Sequence, residues 1–346
     1  MNPQLNNAFT LFLSLLVETM PFLLLGVLFS GLLLLFVDER QLIAKLPKNP
    51  LLGALIGSMV GFLFPVCECG NVPVARRLLM QGVPAPLAIG FLLAAPTINP
   101  IVIWATWTAF RDQPEIVVLR VVFSLAIATI VGSVFSAQAD LRSYMQPAIA
   151  ARWKPTPPSL PPKQWSPQPE EPTSELLRSG TFWLGQPGKP MRVDATVLQA
   201  SMAATSPTKP LSDRLRLLLE NTVQELRELG AVLVLGSAFA ALIQVAIPRE
   251  VILSLGAGPI SSIVAMMLLA GLVSICSTVD SFFALSFAST FTSGSLLAFL
   301  VFGPMIDLKG IGLMLSIFKP IAVIYLFVLA AQLTFLFTLF INLYVI

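Results

Sequence analysis

The sequence predicts an all-α integral membrane protein with about eight transmembrane helices, arranged in two internal repeats and interrupted by broken or re-entrant helix elbows. Three observations support this prediction. The chain of 346 residues is 56% apolar and only 11% charged, whereas a soluble domain carries about 25% charged residues. Its apolar residues form long unbroken runs, and similar polar residues recur in both halves. We therefore expect a multi-pass protein of the inner or plasma membrane, with the lipid bilayer as its surroundings.

The first element of the prediction is the set of spans. A helix needs roughly 20 apolar residues to cross the hydrocarbon, and strands are disfavoured because the runs do not alternate with a period of two. Windows of this length give eight candidate spans, at about 9–37, 49–66, 84–108, 115–138, 229–247, 259–276, 281–305 and 311–342.

The spans divide the chain into a first transmembrane repeat at 1–138, a linker at 139–212 and a second transmembrane repeat at 213–346. The linker holds 13 of the 28 prolines, with eight Lys or Arg and five Asp or Glu. Such a composition cannot bury a core and favours an extended tether. With four crossings per repeat, basic residues divide six against six between the two membrane sides, so the positive-inside rule does not orient the chain. The charges of the linker favour the cytoplasm.

The repeat is visible as pairs of similar residues at a nearly constant separation. Cys67 and Cys276 are 209 residues apart, as are Asn71 and Asp280, and as are Pro50 and Pro259. Asn99 and Asp307, each after a proline, are 208 apart. Internal repeats are typical of secondary transporters, with the substrate site where the repeats meet. Four crossings per repeat would make the copies parallel, whereas a re-entrant helix at 67–82 would make them inverted.

The first candidate site lies at the end of the second apolar run, between Phe64 and Pro73. Two prolines and a glycine break the helix there, and a broken backbone at membrane depth must lie inside protein or beside a watery cavity. This first elbow offers two thiols, a carboxylate and an amide, which are Cys67, Glu68, Cys69 and Asn71. The alternative is a surface turn with incidental cysteines.

The second elbow offers Cys276 and Asp280 with hydroxyl side chains between them. If the repeats face each other, Cys276 can approach Cys67 or Cys69, and three thiols suit a trivalent thiophilic solute. The alternative for Cys276 is a small buried apolar residue. Thr97 and Asn99, and likewise Asp307, follow prolines late in apolar runs. Half-helix ends at such breaks can face a cavity, or the helix simply ends before a loop.

Charged residues within apolar spans indicate functional sites by default. Glu18 and Glu228, together with Asp307, are the candidates for coupling transport to an ion. Arg120 and Lys319 are interpreted as members of structural ion pairs.

Composition excludes several other functions. The sequence contains no His, which excludes His-ligated haem and the Ser-His-Asp triad. It contains no G-x-x-x-x-G-K-[ST] phosphate loop, and its basic residues form no basic face, so we expect no nucleic-acid partner. We expect no catalytic residue, no resident metal and no cofactor. A homo-oligomer stays open.

The motif Cys67-x-Cys69-Gly70-x-x-Pro73, followed by Pro96-x-x-Asn99-Pro100 and by the copy Cys276-x-x-x-Asp280, resembles the predicted-permease family that includes the ArsP and YraQ proteins. The resemblance covers both repeats and leaves the linker out. It implies a polytopic permease of the inner membrane, some of whose relatives export trivalent organoarsenicals. By motif position it makes Cys67, Cys69 and Cys276 the candidate solute ligands.

The favoured hypothesis is a secondary transporter, an exporter of a small thiophilic or anionic solute such as a trivalent organoarsenical. Its candidate substrate-binding residues are Cys67, Glu68, Cys69, Asn71, Thr97, Asn99, Cys276 and Asp280. A membrane thiol oxidoreductase using Cys67 and Cys69 is the alternative, although redox pairs usually have the spacing C-x-x-C. An intramembrane aspartyl protease lacks its expected G-x-G-D context.

Overall fold

A computed structural model describes residues 3–36, 47, 49–64, 67–136, 144–146, 149, 211–246 and 258–344. Within these ranges the chain is helical, with one isolated bridge between Met145 and Phe318. The predicted all-α membrane class is confirmed. Apart from residues 144–146, Ile149 and the start of a helix at Leu211, the proposed linker 139–212 lies outside the described residues.

The first half contains six described helices: α1 (Pro3–Phe36), α2 (Pro50–Val60, extended by a 3-10 turn at Gly61–Leu63), α3 (Glu68–Met80), α4 (Ala85–Ile98), α5 (Pro100–Ala109) and α6 (Pro114–Ser136). The second half contains six in the same order: α7 (Leu211–Ala246), α8 (Pro259–Val273), α9 (Asp280–Leu285), α10 (Ser293–Met305), α11 (Leu308–Met314) and α12 (Pro320–Tyr344). Each half begins and ends with a long helix. Between these helices the chain is interrupted at the elbow and again at Asn99 in the first half or at Asp307 in the second half. The helices therefore repeat in the same order as the residue pairs.

The first helices of the two halves, α1 and α7, pack antiparallel. Leu15 near the start of α1 clusters with Ala240 near the end of α7. Gly31 near the end of α1 faces Leu218 and Thr222 near the start of α7. Equivalent helices thus run in opposite directions, so the halves form inverted repeats. The parallel arrangement that four crossings per repeat would require is wrong.

Six segments within the described ranges are long and apolar enough to cross a membrane, namely Asn6–Leu32, Ala85–Ala109, Pro114–Ser136, Leu218–Val245, Ser293–Met314 and Pro320–Tyr344. The expected spans at 49–66 and 259–276 contain the shorter helices α2 and α8. Helices of 11 and 15 residues rise only about 17 and 23 Å, against the roughly 30 Å of hydrocarbon. The expected span 281–305 contains two helices separated by a turn. Each half therefore has three segments of spanning length and one pair of shorter helices at its elbow.

The two short helices of the first half, α2 and α3, are held by close backbone packing. Gly57 and Gly61 of α2 lie so close to α4 that an added Cβ would overlap Leu87 and Ala95. Gly26 of α1 lies equally close to the backbone of Gly70 in α3. Small residues let helices approach in a membrane, where van der Waals packing drives their association. These glycines fix the first elbow at the centre of the protein.

Candidate functional site

The two elbows have the same backbone hydrogen bonds. The carbonyl of Cys67 accepts the N–H groups of Gly70 and Asn71, and the carbonyl of Cys276 accepts those of Val279 and Asp280. In both elbows, therefore, the cysteine is the residue on which a new helical turn begins. The second elbow is entered through Ser274, whose φ of 47° lies in the left-handed region. The inverted repeat is thus preserved in backbone detail.

The three thiols lie near one another. All three cysteines are free and buried, and Cys69 and Cys276 both lie close enough to Cys67 to affect its thiol electrostatically. Cys67 and Cys276 occupy equivalent positions of the two repeats. Equivalent residues that are close to each other lie near the axis that relates the repeats. The structure therefore places a three-thiol cluster, contributed by both halves, near the centre of the pseudo-symmetry.

Glu68 brings a carboxylate to the same cluster. Cys67, Glu68 and Cys69 each place one potential ligand atom within 4.8 Å of the others. Glu68 is buried, and neither of its carboxylate oxygens has a hydrogen-bond partner among the described residues. A buried carboxylate without hydrogen bonds is costly unless another charge compensates it. The compensating charge comes from the other half of the chain.

That charge is Lys309 of α11, which is fully buried. Its Nζ lies 3.8 Å from Glu68 Oε1 and 3.9 Å from Asp307 Oδ2, so it joins both carboxylates without a hydrogen bond to either. Asp307 also caps α11, since its Oδ1 accepts the N–H of Gly310 at 2.6 Å. Glu18 of α1 interacts electrostatically with Lys309 as well. The central cluster, defined as Cys67, Glu68, Cys69, Cys276, Asp307 and Lys309, therefore combines thiols with three charges.

The sequence analysis did not identify Lys309 as a site residue. The structure places it in α11, within the long apolar segment that also contains α10. The available signal was the pattern Gly303-Pro304-x-x-Asp307-x-Lys309, in which a helix break is followed by an acid and a base two residues apart.

Asp280 lies in a separate network around Arg120. Arg120 of α6 donates to both oxygens of Asp280, at 3.2 Å and 2.6 Å, and also to Thr106 and Ser281 at 2.8 Å and 2.9 Å. Arg120 and Asp280 are both buried. The expected structural ion pair of Arg120 is confirmed. Among the described residues Lys319 has no ion-pair partner, and its backbone N–H donates to Tyr144 instead.

The remaining candidate residues have local roles or lie near the cluster. The Thr97 hydroxyl donates to Ala94 of its own helix at 2.8 Å. Asn99 caps α5 by accepting the N–H of Val102 at 2.8 Å, as Asp307 caps α11. Asn71 follows the first elbow on α3, fully buried, with no hydrogen-bond partner for its amide within the described part of the chain.

Glu228 and its neighbours tie α3 to α7. Glu228 Oε2 accepts Arg76 Nη1 at 3.3 Å, and Arg77 Nη1 lies 3.6 Å from Glu225. Because of these ion pairs and of the close packing of Gly26 on Gly70, α1 and α7 cover α3. The equivalent helix α9 packs on α5 and α10, and Val279, just before it, is exposed together with Phe282 and Leu285 of the helix. Within the described residues, α3 is therefore covered by α1 and α7, whereas α9 has an exposed apolar side.

An apolar cavity of about 520 Å³ opens between helices of the second half. Its walls come from α8, α10, α11 and α12, and Asp307 and Gln332 are the polar side chains among the lining residues. The cavity therefore reaches a member of the central cluster from the side.

Comparison with known proteins adds a family relationship. A profile of the predicted permease family of ArsP type matches residues 4–343. The chain is 35% identical over 316 residues to the UPF0718 protein YcgR of Bacillus subtilis. The aligned region covers 91% of this chain and 89% of that protein. It is 31% identical over 309 residues to a Streptococcus mutans protein provisionally named a two-component membrane permease complex subunit, covering 89% of this chain and 86% of that protein. No solved structure gives a significant match.

Proposed function

Because the chain belongs to the ArsP-type family of predicted permeases, we propose that it is a transporter, and not an enzyme, which moves a small thiophilic solute through the central cluster. The observation that carries the proposal is the proximity of Cys67 and Cys276, which occupy equivalent positions of inverted repeats. A site built from both repeats near the membrane centre is the usual arrangement of secondary transporters. The chain is a multi-pass protein of the cell membrane.

Alternating access would arise from a movement of α1 and α7 relative to the two elbows. This pair now packs on α3 and α11, and the exposed apolar residues of α9 mark the equivalent surface that it leaves uncovered. In an inverted repeat, the opposite packing has the same backbone geometry. The pair would therefore close one face and then the other around the cluster. The ion pairs of Arg76 and Arg77 would break in the second state.

The charges favour one orientation of this movement. One face of the protein is the one at which α3 and α6 end and α7 begins. Five described basic residues lie toward it, namely Arg76, Arg77, Arg216, Arg227 and Lys319. Arg111, at the turn between α5 and α6, lies toward the opposite face. The division of basic residues into six on each membrane side assumed four crossings per repeat, and it does not hold for inverted repeats. The positive-inside rule assigns the first face to the cytoplasm, and the linker 139–212 with it.

We propose that the solute is a trivalent metalloid such as an organoarsenical, which is exported from the cytoplasm. Glu68 and Asn71 would line the pocket beside the thiols. Asp280, Thr97 and Asn99 would shape the pocket indirectly, through the helix ends that they fix. Glu18, Glu228 and Asp307 are the proposed coupling groups, since Glu18 and Asp307 act on Lys309. The Streptococcus relative is named as a complex subunit, so we propose a second membrane subunit as partner, with a homo-oligomer as the alternative.

The test is protection of the three cysteines from a membrane-permeant maleimide in sealed vesicles, with a trivalent arsenical as trial solute. We expect simultaneous protection of cysteines from both repeats, and loss of export in Cys67→Ser, Cys69→Ser and Cys276→Ser variants. Unchanged export in all three variants would refute the thiol pocket.

A thiol oxidoreductase predicts a different result. It would show a Cys67–Cys69 disulfide in cells, cycling with a partner, and Cys276→Ser would retain activity. Acid quenching followed by thiol trapping separates these hypotheses, since persistently free thiols support the transporter. The place of Cys276 in the cluster favours the transporter because a redox pair has no need of a third thiol.

A further inference from the structure

We propose, building on the permease function, that the central cluster also accepts a soft divalent metal cation, held by Cys67, Cys69 and Cys276 with Glu68 as its oxygen ligand. The donor atoms on the first elbow already lie within 4.8 Å of one another. Tetrahedral thiolate ligands at about 2.3 Å from a metal are about 3.8 Å apart. A small contraction therefore closes the elbow around an ion.

The donor set is selective for soft metals. Thiolates favour ions such as zinc and its heavier congener cadmium, whereas hard ions such as magnesium prefer oxygen ligands. Three sulfurs and one carboxylate make four ligands, the usual number for a zinc site. Cys276, which is not within 4.8 Å of all three donors of the first elbow, would supply the fourth ligand from the second repeat, so the complete set forms only when the two elbows close on the ion.

The charge of the cluster favours a cation over an oxyanion. Two carboxyl groups, those of Glu68 and Asp307, face the single amine of Lys309, and Glu18 brings a third carboxyl group into electrostatic range. The guanidinium of Arg120, which suits an oxyanion, is held by Asp280, Thr106 and Ser281 in the other network. An oxyanion would therefore meet uncompensated carboxylates at the centre.

Lys309 stabilises the site when no metal ion is bound. Its Nζ lies almost equally far from Glu68 and Asp307. In the empty site the ammonium balances Glu68, whose oxygens have no hydrogen bond within the described residues. When a cation binds Glu68, Lys309 keeps Asp307 as its partner. Binding a divalent ion with loss of three thiol protons to water lowers the total charge of the site by one, and the ammonium of Lys309 lies beside the site to offset that charge.

The movement of the repeats supplies a release step. Sliding α1 and α7 from α3 toward α9 would separate the two elbows, and Cys276 would leave the coordination sphere. An ion left with the two thiolates and the carboxylate of one elbow is held less tightly and exchanges with water or a solution ligand. The site is therefore expected to bind in one packing and release in the other.

The experiment is a Cd²⁺ titration of the purified, reduced, full-length protein in detergent, followed by the ultraviolet thiolate-to-metal charge-transfer band. We expect one Cd²⁺ per chain, and visible tetrahedral bands when Co²⁺ replaces Cd²⁺. Each of Cys67→Ser, Cys69→Ser and Cys276→Ser should weaken binding at least about tenfold. Glu68→Gln should weaken it to a similar degree while the sulfur band remains. The matched control is Glu220→Gln, on the exposed part of α7, which should bind as wild type does.

Size-exclusion chromatography shows which variants are folded, because a folded variant elutes as the wild type does. Where a variant fails this criterion, the test is made on the wild type instead, in which Cd²⁺ alone should protect all three cysteines from maleimide. Absence of a saturable band, or binding that survives Cys276→Ser unchanged, overturns the inference. A trivalent arsenical that binds one per chain while Cd²⁺ does not would also overturn it and leave the proposed permease intact. One bound Cd²⁺ without flux of Cd²⁺ or arsenical in vesicles would support the site and refute the permease.

Discussion

The two elbows share a backbone and differ in how their carboxylates are held. At the second elbow, Asp280 receives two hydrogen bonds from Arg120, and Thr106 and Ser281 complete the network. At the first elbow, Glu68 lies 3.8 Å from Lys309 and has no hydrogen-bond partner among the described residues. A buried pair joined by several hydrogen bonds specifies a fixed structure, whereas an unbonded carboxylate leaves coordination for a ligand. We therefore propose that the repeat uses one elbow to hold the helices and the other to bind the solute.

The largest expected effect comes from breaking the second elbow. Asp280→Asn leaves the Arg120 guanidinium buried without its carboxylate, and we expect the free energy of unfolding to fall by about 3–5 kcal/mol. Thermal denaturation of the purified protein in detergent measures the change. A melting temperature equal to that of the wild type would contradict the structural role.

Two further variants sharpen this prediction. The double change Arg120→Met with Asp280→Leu removes both charges, and much of the lost stability should return, because apolar residues of similar volume replace a buried pair at little cost. Glu68→Gln should cost less than about 1 kcal/mol, since Lys309 keeps Asp307 as its partner. Equal losses for Asp280→Asn and Glu68→Gln would remove the distinction between the elbows.

The packing of the long helices gives a second, intermediate effect. Gly26→Ala would place a Cβ against the backbone of Gly70, while the same change at Gly236 of α7 meets its nearest atom, Lys309 Cα, at an ordinary 3.6 Å. We expect Gly26→Ala to cost about 1–3 kcal/mol through overpacking. The matched Gly236→Ala should change stability by less than about 0.5 kcal/mol. The same melts measure both, and an equal loss in the two variants would show that α1 and α7 pack alike.

The smallest effect is expected at the ion pair between Arg76 and Glu228. Because Glu228 is about one-third exposed, water screens the pair, and Glu228→Gln should cost less than about 1 kcal/mol. High salt should reduce the difference from wild type further. The exchange Arg76→Glu with Glu228→Arg should recover the loss. A large loss that salt leaves unchanged would mean that this pair is sealed from water as Arg120 and Asp280 are.

Local properties of the chain made much of the fold predictable. Apolar runs identified the membrane class, and prolines beside Cys67 and Asn99 located the helix breaks, because hydrophobicity and backbone breaks depend on neighbouring residues. The thiol cluster could be proposed because Cys67 and Cys276 fall at matching positions of the repeat. The helix count was less certain, since α2 is apolar enough for a span but too short to cross.

The sequence by itself determined that this is a two-repeat, all-α membrane protein with thiols at both elbows. Only the tertiary structure decided that the repeats are inverted, because an apolar helix has the same composition in either direction. It also decided that Asp280 meets Arg120 and that Glu68 meets Lys309. Each of these pairs joins residues 160 or more positions apart in the sequence, and only the packing of the helices selects one buried charge as the partner of another.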